Sequence, residues 1–456
     1  MSKYFGTDGF RGEAGEALTA EHAYEIGRLL GWHYKKSDKR VRVVIGKDTR
    51  LSSYMLEYAI AAGLTATGAD AYMLHVTTTP SVSYSCSVDD FDCGIMISAS
   101  HNPYFDNGIK IVNAKGEKLD DATISKIESY LDRRKGETNS VQEIPFARDN
   151  MIGKIVDYSA GRNRYIGYLI SLSSRSFKHL RIGLDASNGG AWMIAKSVFD
   201  ALGAKTYVIN DTPDGLNINH RCGSTHPEGL CKLVTDKCLD MGFAFDGDAD
   251  RCIAVDEKGE LVNGDHILYI LAKYLKEQFS LTTNTVVTTV MSNLGLYRAL
   301  EEAGINHTQT AVGDKYVYEC MSENSHSLGG EQSGHIIMSK YATTGDGILT
   351  AIKITEAVIE AKSTLSKLKS PVVMLPQVTK NLPVKSKRAV MENSVVTKEV
   401  EAVKSLLEGR GRILLRESGT EPLIRIMVEA ESYEECENYA HRVAKIIKNE
   451  GLTNEP

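Results

Sequence analysis

Three successive stretches of this chain share one order of segments: an apolar strand, a polar loop, a helix-patterned run and a return strand, ending in a distinctive polar motif. This repetition constrains the fold more than any single motif. Strands alternating with helices predict mixed α/β layers, and equivalent strands deliver their terminal loops to equivalent places. In the first repeat, residues 41–46 read as a strand, about 54–67 as a helix and 72–76 as the return strand. An apolar run, Gly94-Ile95-Met96-Ile97, then leads into Ser98-Ala99-Ser100-His101-Asn102-Pro103. The second repeat has strands at 181–185, 206–209 and 243–245, the loop Asn188-Gly189-Gly190, and helices through Ala201 and over 228–239. It closes on Asp246-Gly247-Asp248-Ala249-Asp250-Arg251. The third runs from a strand at 286–290 through a helix ending at Ala303-Gly304 to Leu328-Gly329-Gly330-Glu331-Gln332-Ser333-Gly334-His335. Similar hairpins, 112–117 and 255–260, follow the first two motifs. Three motifs at the ends of equivalent strands predict a shared central cleft, where open α/β sheets bind ligands.

From about Pro371 the pattern changes. Strands at 411–415 and 424–428, the loop Arg416 to Pro422 between them and a helix over 433–448 predict a separate, smaller α+β domain. The expected division is 1–150, 151–258, 259–370 and 371–456. The polar stretch 133–140 serves as a connection, with further boundaries near Gly259 and Ser370-Pro371.

The first motif presents a hydroxyl at the end of a buried strand, which makes Ser100 a candidate nucleophile. His101 stands beside it, and Lys110 arrives on the next strand as a proton carrier or electrostatic partner. By itself the hexapeptide reads first as an ordinary Ser/Asn/Pro turn, and the motifs further along change that weighting. The second motif alternates Asp246, Asp248 and Asp250, carboxylates that repel one another unless a cation sits among them. Hard oxygen ligands favour Mg²⁺, Mn²⁺ or Ca²⁺. An EF-hand is excluded by Arg251 at the position that needs glycine and by strand-like flanks, and the apolar flanking residues argue against a merely solvated turn. The third motif offers Glu331, Ser333 and His335 to sugar hydroxyls, or is a polar loop turned by its glycines. The fourth, Arg416-Glu417-Ser418-Gly419-Thr420-Glu421-Pro422 with Arg425, combines arginine forks, small hydroxyls and glycine as an anion cradle does. Near the start, Gly6-Thr7-Asp8-Gly9-Phe10-Arg11-Gly12 adds a Gly-rich segment with an arginine. Neither a dinucleotide fingerprint nor a Walker loop is present.

Charge and composition narrow the partners. A formal net charge of −6 argues against bulk nucleic-acid binding, so an anionic ligand must be held by local Lys and Arg clusters. No apolar run has signal-peptide or membrane-spanning length, from which a cytoplasmic location and no membrane partner are expected. The 8 cysteines lack metal-site or disulfide spacing. Cys86, Cys93, Cys222, Cys231, Cys238 and Cys252 are expected to be packing residues. A nucleophile, a metal triad, sugar-type hydrogen-bonding groups and a phosphate clamp together point to phosphoryl transfer on a phosphosugar.

The segments 7–12, 98–103, 246–251, 330–335 and 416–422, in this order and spacing, resemble those of the α-D-phosphohexomutase family over essentially the whole chain. Gln332, Met291-Ser292-Asn293-Leu294-Gly295 and Val312-Gly313-Asp314-Lys315-Tyr316-Val317 resemble the bacterial branch of the family that acts on glucosamine phosphates. One departure is Ala249 in place of a glycine, a change expected to be tolerated on a negative backbone φ.

The resemblance implies that Ser100 is stored as phosphoserine, with one Mg²⁺ per active site held by its phosphate and by Asp246, Asp248 and Asp250. It implies interconversion of glucosamine 6-phosphate and glucosamine 1-phosphate through a sugar 1,6-bisphosphate intermediate and activator, on the way to UDP-N-acetylglucosamine and cell wall. Ser100, His101, Lys110 and Arg11 would carry the catalysis. Glu331, Ser333, His335, Arg416, Ser418, Gly419, Thr420, Arg425 and Arg251 would hold the phosphosugar. A homodimer and a kinase that primes Ser100 are open options. The alternatives are a phosphomannomutase/phosphoglucomutase and a non-catalytic phosphosugar-binding protein, while an acyl hydrolase is disfavoured by the lack of a Gly-x-Ser-x-Gly elbow.

Overall fold

The computed structural model describes residues 4–6, 8–37, 39–132, 143–418 and 422–454. The chain forms two compact units, Met1–Met291 with Ile305–Ser370, and Ser292–Gly304 with Pro371–Pro456.

In the first unit the threefold repeat is written in strand order. One sheet places Asp70–Val76, Arg42–Lys47, Cys93–Ile97 and Asp106–Asn113 side by side, with the first three parallel and the last antiparallel. The second sheet repeats this order with Lys205–Ile209, Arg181–Asp185, Met241–Phe245 and Cys252–Asp256. The third repeats it with Asn306–Thr310, Thr285–Thr289, Leu328–Gly330 and Ile336–Met338. The central strands are apolar runs buried on both faces, as the Cys93–Ile97 and Met241–Phe245 strands are along their whole length. In each repeat the polar motif is the turn between the third, parallel strand and the antiparallel fourth.

Helices pack onto these sheets. Leu51–Ala66 lies against Ala20–His33, where the backbones approach so closely that a side chain at Gly27 or Gly63 would strike the opposing chain at 2.3 or 2.1 Å. Gly347–Glu360 is apolar nearly all round and correspondingly buried. Among the described residues no helix is long and apolar enough to cross a membrane.

The second unit is a three-stranded antiparallel sheet, ordered Gln377–Pro383, Leu423–Glu429 and Arg412–Glu417, covered by Ser394–Leu406 and Tyr433–Asn449. The helix Leu294–Glu302 belongs to it, and the Leu294 N–H donates to Glu429 at 3.0 Å.

Several details depart from the sequence expectations. The strand before the fourth motif runs through Glu417, so the loop starts later than Arg416. All eight cysteines are free thiols, but Cys238 is exposed at a helix C-terminus with φ of 47°, a capping position outside the packed core. Ala249 has φ of 54°, so the negative angle on which its tolerance is conditional is not met, and it is fully buried. The connection at 133–140, Thr7, Gly419, Thr420 and Glu421 lie outside the described residues.

Candidate active site

Ser100 follows the buried strand Cys93–Ile97 and is itself fully buried, in the left-handed region with φ of 52°. Its Oγ donates to Asp246 Oδ2 at 2.5 Å and lies 3.3 Å from His101 Nδ1. The first two motifs therefore meet, with the hydroxyl of one repeat against the carboxylates of the next. Close backbone packing makes this meeting possible, since a Cβ on Gly247 would come within 2.6 Å of the Ser100 carbonyl oxygen.

Asp246, Asp248 and Asp250 each turn an oxygen toward a common point, all within 4.8 Å of one another and all buried. Lys110, on the strand Asp106–Asn113, reaches Asp248 at 2.7 Å, Asp250 at 3.0 Å and Asp8 at 3.1 Å. Burial opposes its charge, but these three carboxylates hold its pKa well above the usual lysine value. The same ammonium keeps Asp250 well below the carboxylate range despite burial. Asp246 goes the other way, pushed well up by burial and by the charges of Asp250 and Asp248. Asp248 Oδ1 and Asp250 Oδ1 are buried without a hydrogen-bond donor, so the donor set fits a hard divalent cation.

His101 sits where burial and the nearby Arg251, Arg11 and Lys110 push its pKa down to about 4, so its imidazole is neutral at pH 7. Arg11 pairs with Asp8. Arg251 lies 3.8 Å from Asp250, and its N–H donates to Asp246 Oδ1 at 3.2 Å.

The third motif joins the same group. His335 approaches Asp250 at 3.7 Å and Asp314 at 3.5 Å. Burial would lower its pKa, but Asp250, Asp314 and Glu331 push it up to about 9. Glu331 accepts from the Gly313 N–H at 3.1 Å, while Ser333 is exposed.

The fourth motif lies in the other compact unit. Arg416 and Arg425 are directly opposed across antiparallel strands. Like charges in that register repel, and burial together with Arg425 lowers the Arg416 pKa. Ser418, buried beside them, has its carbonyl held by Lys387 Nζ at 2.7 Å.

Sequence reasoning missed a shell of residues behind these groups. Thr79 donates to Asp248 from both its hydroxyl and its backbone N–H, the latter at 3.0 Å to the carbonyl oxygen. Lys118 bridges Asp8 at 3.1 Å and Asp314 at 2.7 Å. Arg50 and Asn219 donate to carbonyls of the Ser100 loop, and Asp48 accepts from Ser98 within it. The available signal was a polar run, Lys47-Asp48-Thr49-Arg50, directly after an apolar strand, which reads as an ordinary loop until it proves to be buried.

Three repeated α/β sheets that converge a serine, an acidic triad and a sugar-type motif define a phosphosugar mutase, an enzyme of the isomerase class. Descriptions of the four phosphoglucomutase/phosphomannomutase domains match the chain in order: α/β/α domain I over 2–137, domain II over 163–259, domain III over 263–373 and the C-terminal domain over 380–446. A protein named phosphoglucosamine mutase, from Lachnospira eligens, is 62% identical over 453 residues, 99% of each chain. The crystal structure of a phosphoglucomutase/phosphomannomutase family protein from Burkholderia thailandensis superposes with a TM-score of 0.80 at 23% identity, covering 98% of each chain. That of Aspergillus fumigatus N-acetylphosphoglucosamine mutase, in complex with GlcNAc-6P and magnesium, gives 0.69 at 17%, covering 99% of this chain and 96% of that one. The chain belongs to the phosphoglucomutase/phosphomannomutase family.

Proposed function

We propose that this enzyme interconverts glucosamine 6-phosphate and glucosamine 1-phosphate, with Ser100 as the residue that carries the phosphoryl group. The observation that carries the reading is the buried Ser100 hydroxyl held against Asp246 in the acidic triad. The 62% identity to a protein named for this sugar supports the choice of substrate.

The phosphoryl group leaves Ser100 Oγ as its phosphorus bonds to O1 of glucosamine 6-phosphate, and the proton that O1 gives up ends on the freed Ser100 Oγ. The resulting 1,6-bisphosphate turns over within the site, and Ser100 Oγ takes the phosphoryl group back from O6. In that second step the serine loses its proton, for which Asp246 Oδ2 and His101 Nδ1 are the acceptors within reach, and the departing O6 takes up a proton in its place. Lys110, held protonated by three carboxylates, is an electrostatic partner that neutralises charge on the transferring phosphoryl oxygens, with Arg11. When bound, Mg²⁺ on Asp246, Asp248, Asp250 and the Ser100 phosphate supplies Lewis-acid neutralisation of the same charge. Glu331, Ser333, His335 and Arg251 read the sugar. Arg416, Ser418, Gly419, Thr420 and Arg425 grip the phosphate that is not reacting, and the opposed arginines are the physical argument for an anion there. The domains are assigned as 1–150, 151–258, 259–370 and 371–456.

A homodimer is part of the same proposal. Leu51, Tyr54, Met55 and Tyr58 recur at helical spacing and are all exposed, forming one apolar stripe on Leu51–Ala66. A cytoplasmic location and priming of Ser100 by a kinase or by bisphosphate complete it.

The test offers glucosamine 6-phosphate, glucose 6-phosphate and mannose 6-phosphate separately, with Mg²⁺ and a trace of sugar 1,6-bisphosphate, followed by ³¹P NMR. A 1-phosphate signal growing fastest from the glucosamine sugar is expected. Faster turnover of glucose or mannose phosphate would reassign the substrate, and silence with all three would leave a binding protein.

A further inference from the structure

The Ser100 loop is held by groups that no role in phosphate transfer requires. Arg50 is fully buried, and all its N–H groups are engaged. Its Nε pairs with Asp48 at 2.8 Å, Nη2 donates to the Ser100 carbonyl at 2.9 Å and the Asn102 carbonyl at 2.8 Å, and Nη1 donates to the carbonyls of Pro103 and Asp106. Asp48 is saturated in turn. Besides Arg50 it accepts from Ser53 Oγ and from Ser98 Oγ, each at 2.7 Å, and Ser98 Oγ accepts the Ser100 N–H at 2.9 Å.

A second donor approaches from the next repeat. Asn219 Nδ2 donates to the Ser100 carbonyl at 2.7 Å and to the Asn102 carbonyl at 3.1 Å, the same two acceptors that Arg50 Nη2 holds. Asn219 is buried and has φ of 57°, a conformation asparagine tolerates better than most residues. Two carbonyls are thus gripped from both sides, one grip rooted in each of the first two repeats.

Ser100 itself has φ of 52°, a left-handed conformation that strains a non-glycine residue. Such a conformation persists only where the surroundings over-determine it. We infer that Arg50 and Asn219 are positioning residues that bracket the Ser100 peptide, fixing the Oγ against Asp246 so that one hydroxyl serves both half-reactions. The inference rests on the proposed phosphoserine reaction. Its consequence is that loss of the bracket lowers kcat and lets bisphosphate escape before the second transfer, while the groups that bind sugar are untouched.

Asn219→Asp is the sharpest test, because it keeps shape and backbone preference but turns an oxygen toward two carbonyls. Asn219→Ala removes the grip without repulsion, and Arg50→Lys keeps charge but cannot span four carbonyls. We expect Asn219→Asp to stay folded at the assay temperature, although it unfolds at a lower temperature than wild type because a buried carboxyl faces two carbonyls, and to keep KM for glucosamine 6-phosphate. Its kcat should fall by about 10²-fold, with Asn219→Ala between, and free 1,6-bisphosphate should accumulate during turnover. If Arg50→Lys does not fold, the two Asn219 variants decide alone. Wild-type kcat in Asn219→Asp, or a loss that only tracks the folded fraction, would overturn the bracket. A wild-type enzyme that loads phosphate on Ser100 but transfers it to no sugar would instead overturn the reaction on which the bracket rests.

Discussion

Ser100 Oγ and Asp246 Oδ2 lie 2.5 Å apart although 146 residues separate them in sequence, and this contact joins the first repeat to the second. It places the only hydroxyl of its motif that faces the acidic triad directly among the metal-ligand candidates. Ser100→Ala is therefore expected to abolish phosphorylation of the protein and mutase turnover, while Mg²⁺ still binds the three aspartates. Intact-mass measurement after incubation with sugar 1,6-bisphosphate checks the first point and calorimetry with Mg²⁺ the second.

Ala249 carries strain that glycine would relieve. Its φ of 54° costs about 1–2 kcal/mol, against about 0.4–1 kcal/mol of added unfolded-state entropy for glycine. Ala249→Gly should stabilise the protein by roughly 0.5–1 kcal/mol with unchanged kcat. Denaturant unfolding monitored on the intact protein measures it, and a loss of stability would mean that the methyl group packs better than its backbone suffers.

The opposed arginines predict a binding defect without a metal defect. Arg416→Ala should raise KM for the phosphosugar by about 10-fold or more, the scale of one charged hydrogen bond lost. The Mg²⁺ concentration for half-maximal rate should not move. The reverse pattern would place the phosphate clamp elsewhere.

Asp346 makes stability depend on pH. It accepts from Tyr165 at 2.7 Å and from the Leu349 N–H at 2.9 Å as the N-cap of Gly347–Glu360, yet burial pushes its pKa up to about 6. Folded Asp346 binds its proton more tightly than unfolded Asp346, so its contribution is present in full below pH 4 and is lost as pH rises through about 6. Asp346→Asn removes this dependence. Relative to wild type the variant should gain up to roughly 3 kcal/mol between pH 3 and pH 7, read from urea midpoints across that range.

The stripe of Leu51, Tyr54, Met55 and Tyr58 predicts association. Sedimentation should give twice the chain mass of 50.1 kDa, and Tyr58→Glu with Met55→Lys should give the single mass. A monomer at every concentration would leave the stripe unexplained.

Most of the architecture was legible because it is local and repeated. The strands at 181–185 and 243–245, with the motif after the latter, follow from apolar runs bounded by polar turns, the second strand starting slightly earlier in the structure, at Met241, and the acidic triad alternates within one short loop. The support behind it was not legible. Arg50 grips Ser100 across 50 residues and Asn219 across 119, so each reads in sequence as an ordinary loop polar residue. The sign of φ at Ala249 was equally hidden, because a turn that admits glycine in either conformation reveals its hand only in three dimensions. Cys238 was misread because composition does not distinguish a buried thiol from one capping a helix.

The central claim is that the phosphoryl group travels through Ser100, and a single-turnover chase tests it most directly. Protein phosphorylated on Ser100 is mixed with glucosamine 6-phosphate and Mg²⁺, quenched at intervals, and analysed for phosphoserine by mass spectrometry and for sugar phosphates by ³¹P NMR. The account predicts that phosphoserine falls as glucosamine 1,6-bisphosphate rises in equal amount, then recovers as glucosamine 1-phosphate forms. Phosphoserine that persists while product accumulates, or that decays to inorganic phosphate at a rate independent of the sugar, would contradict it.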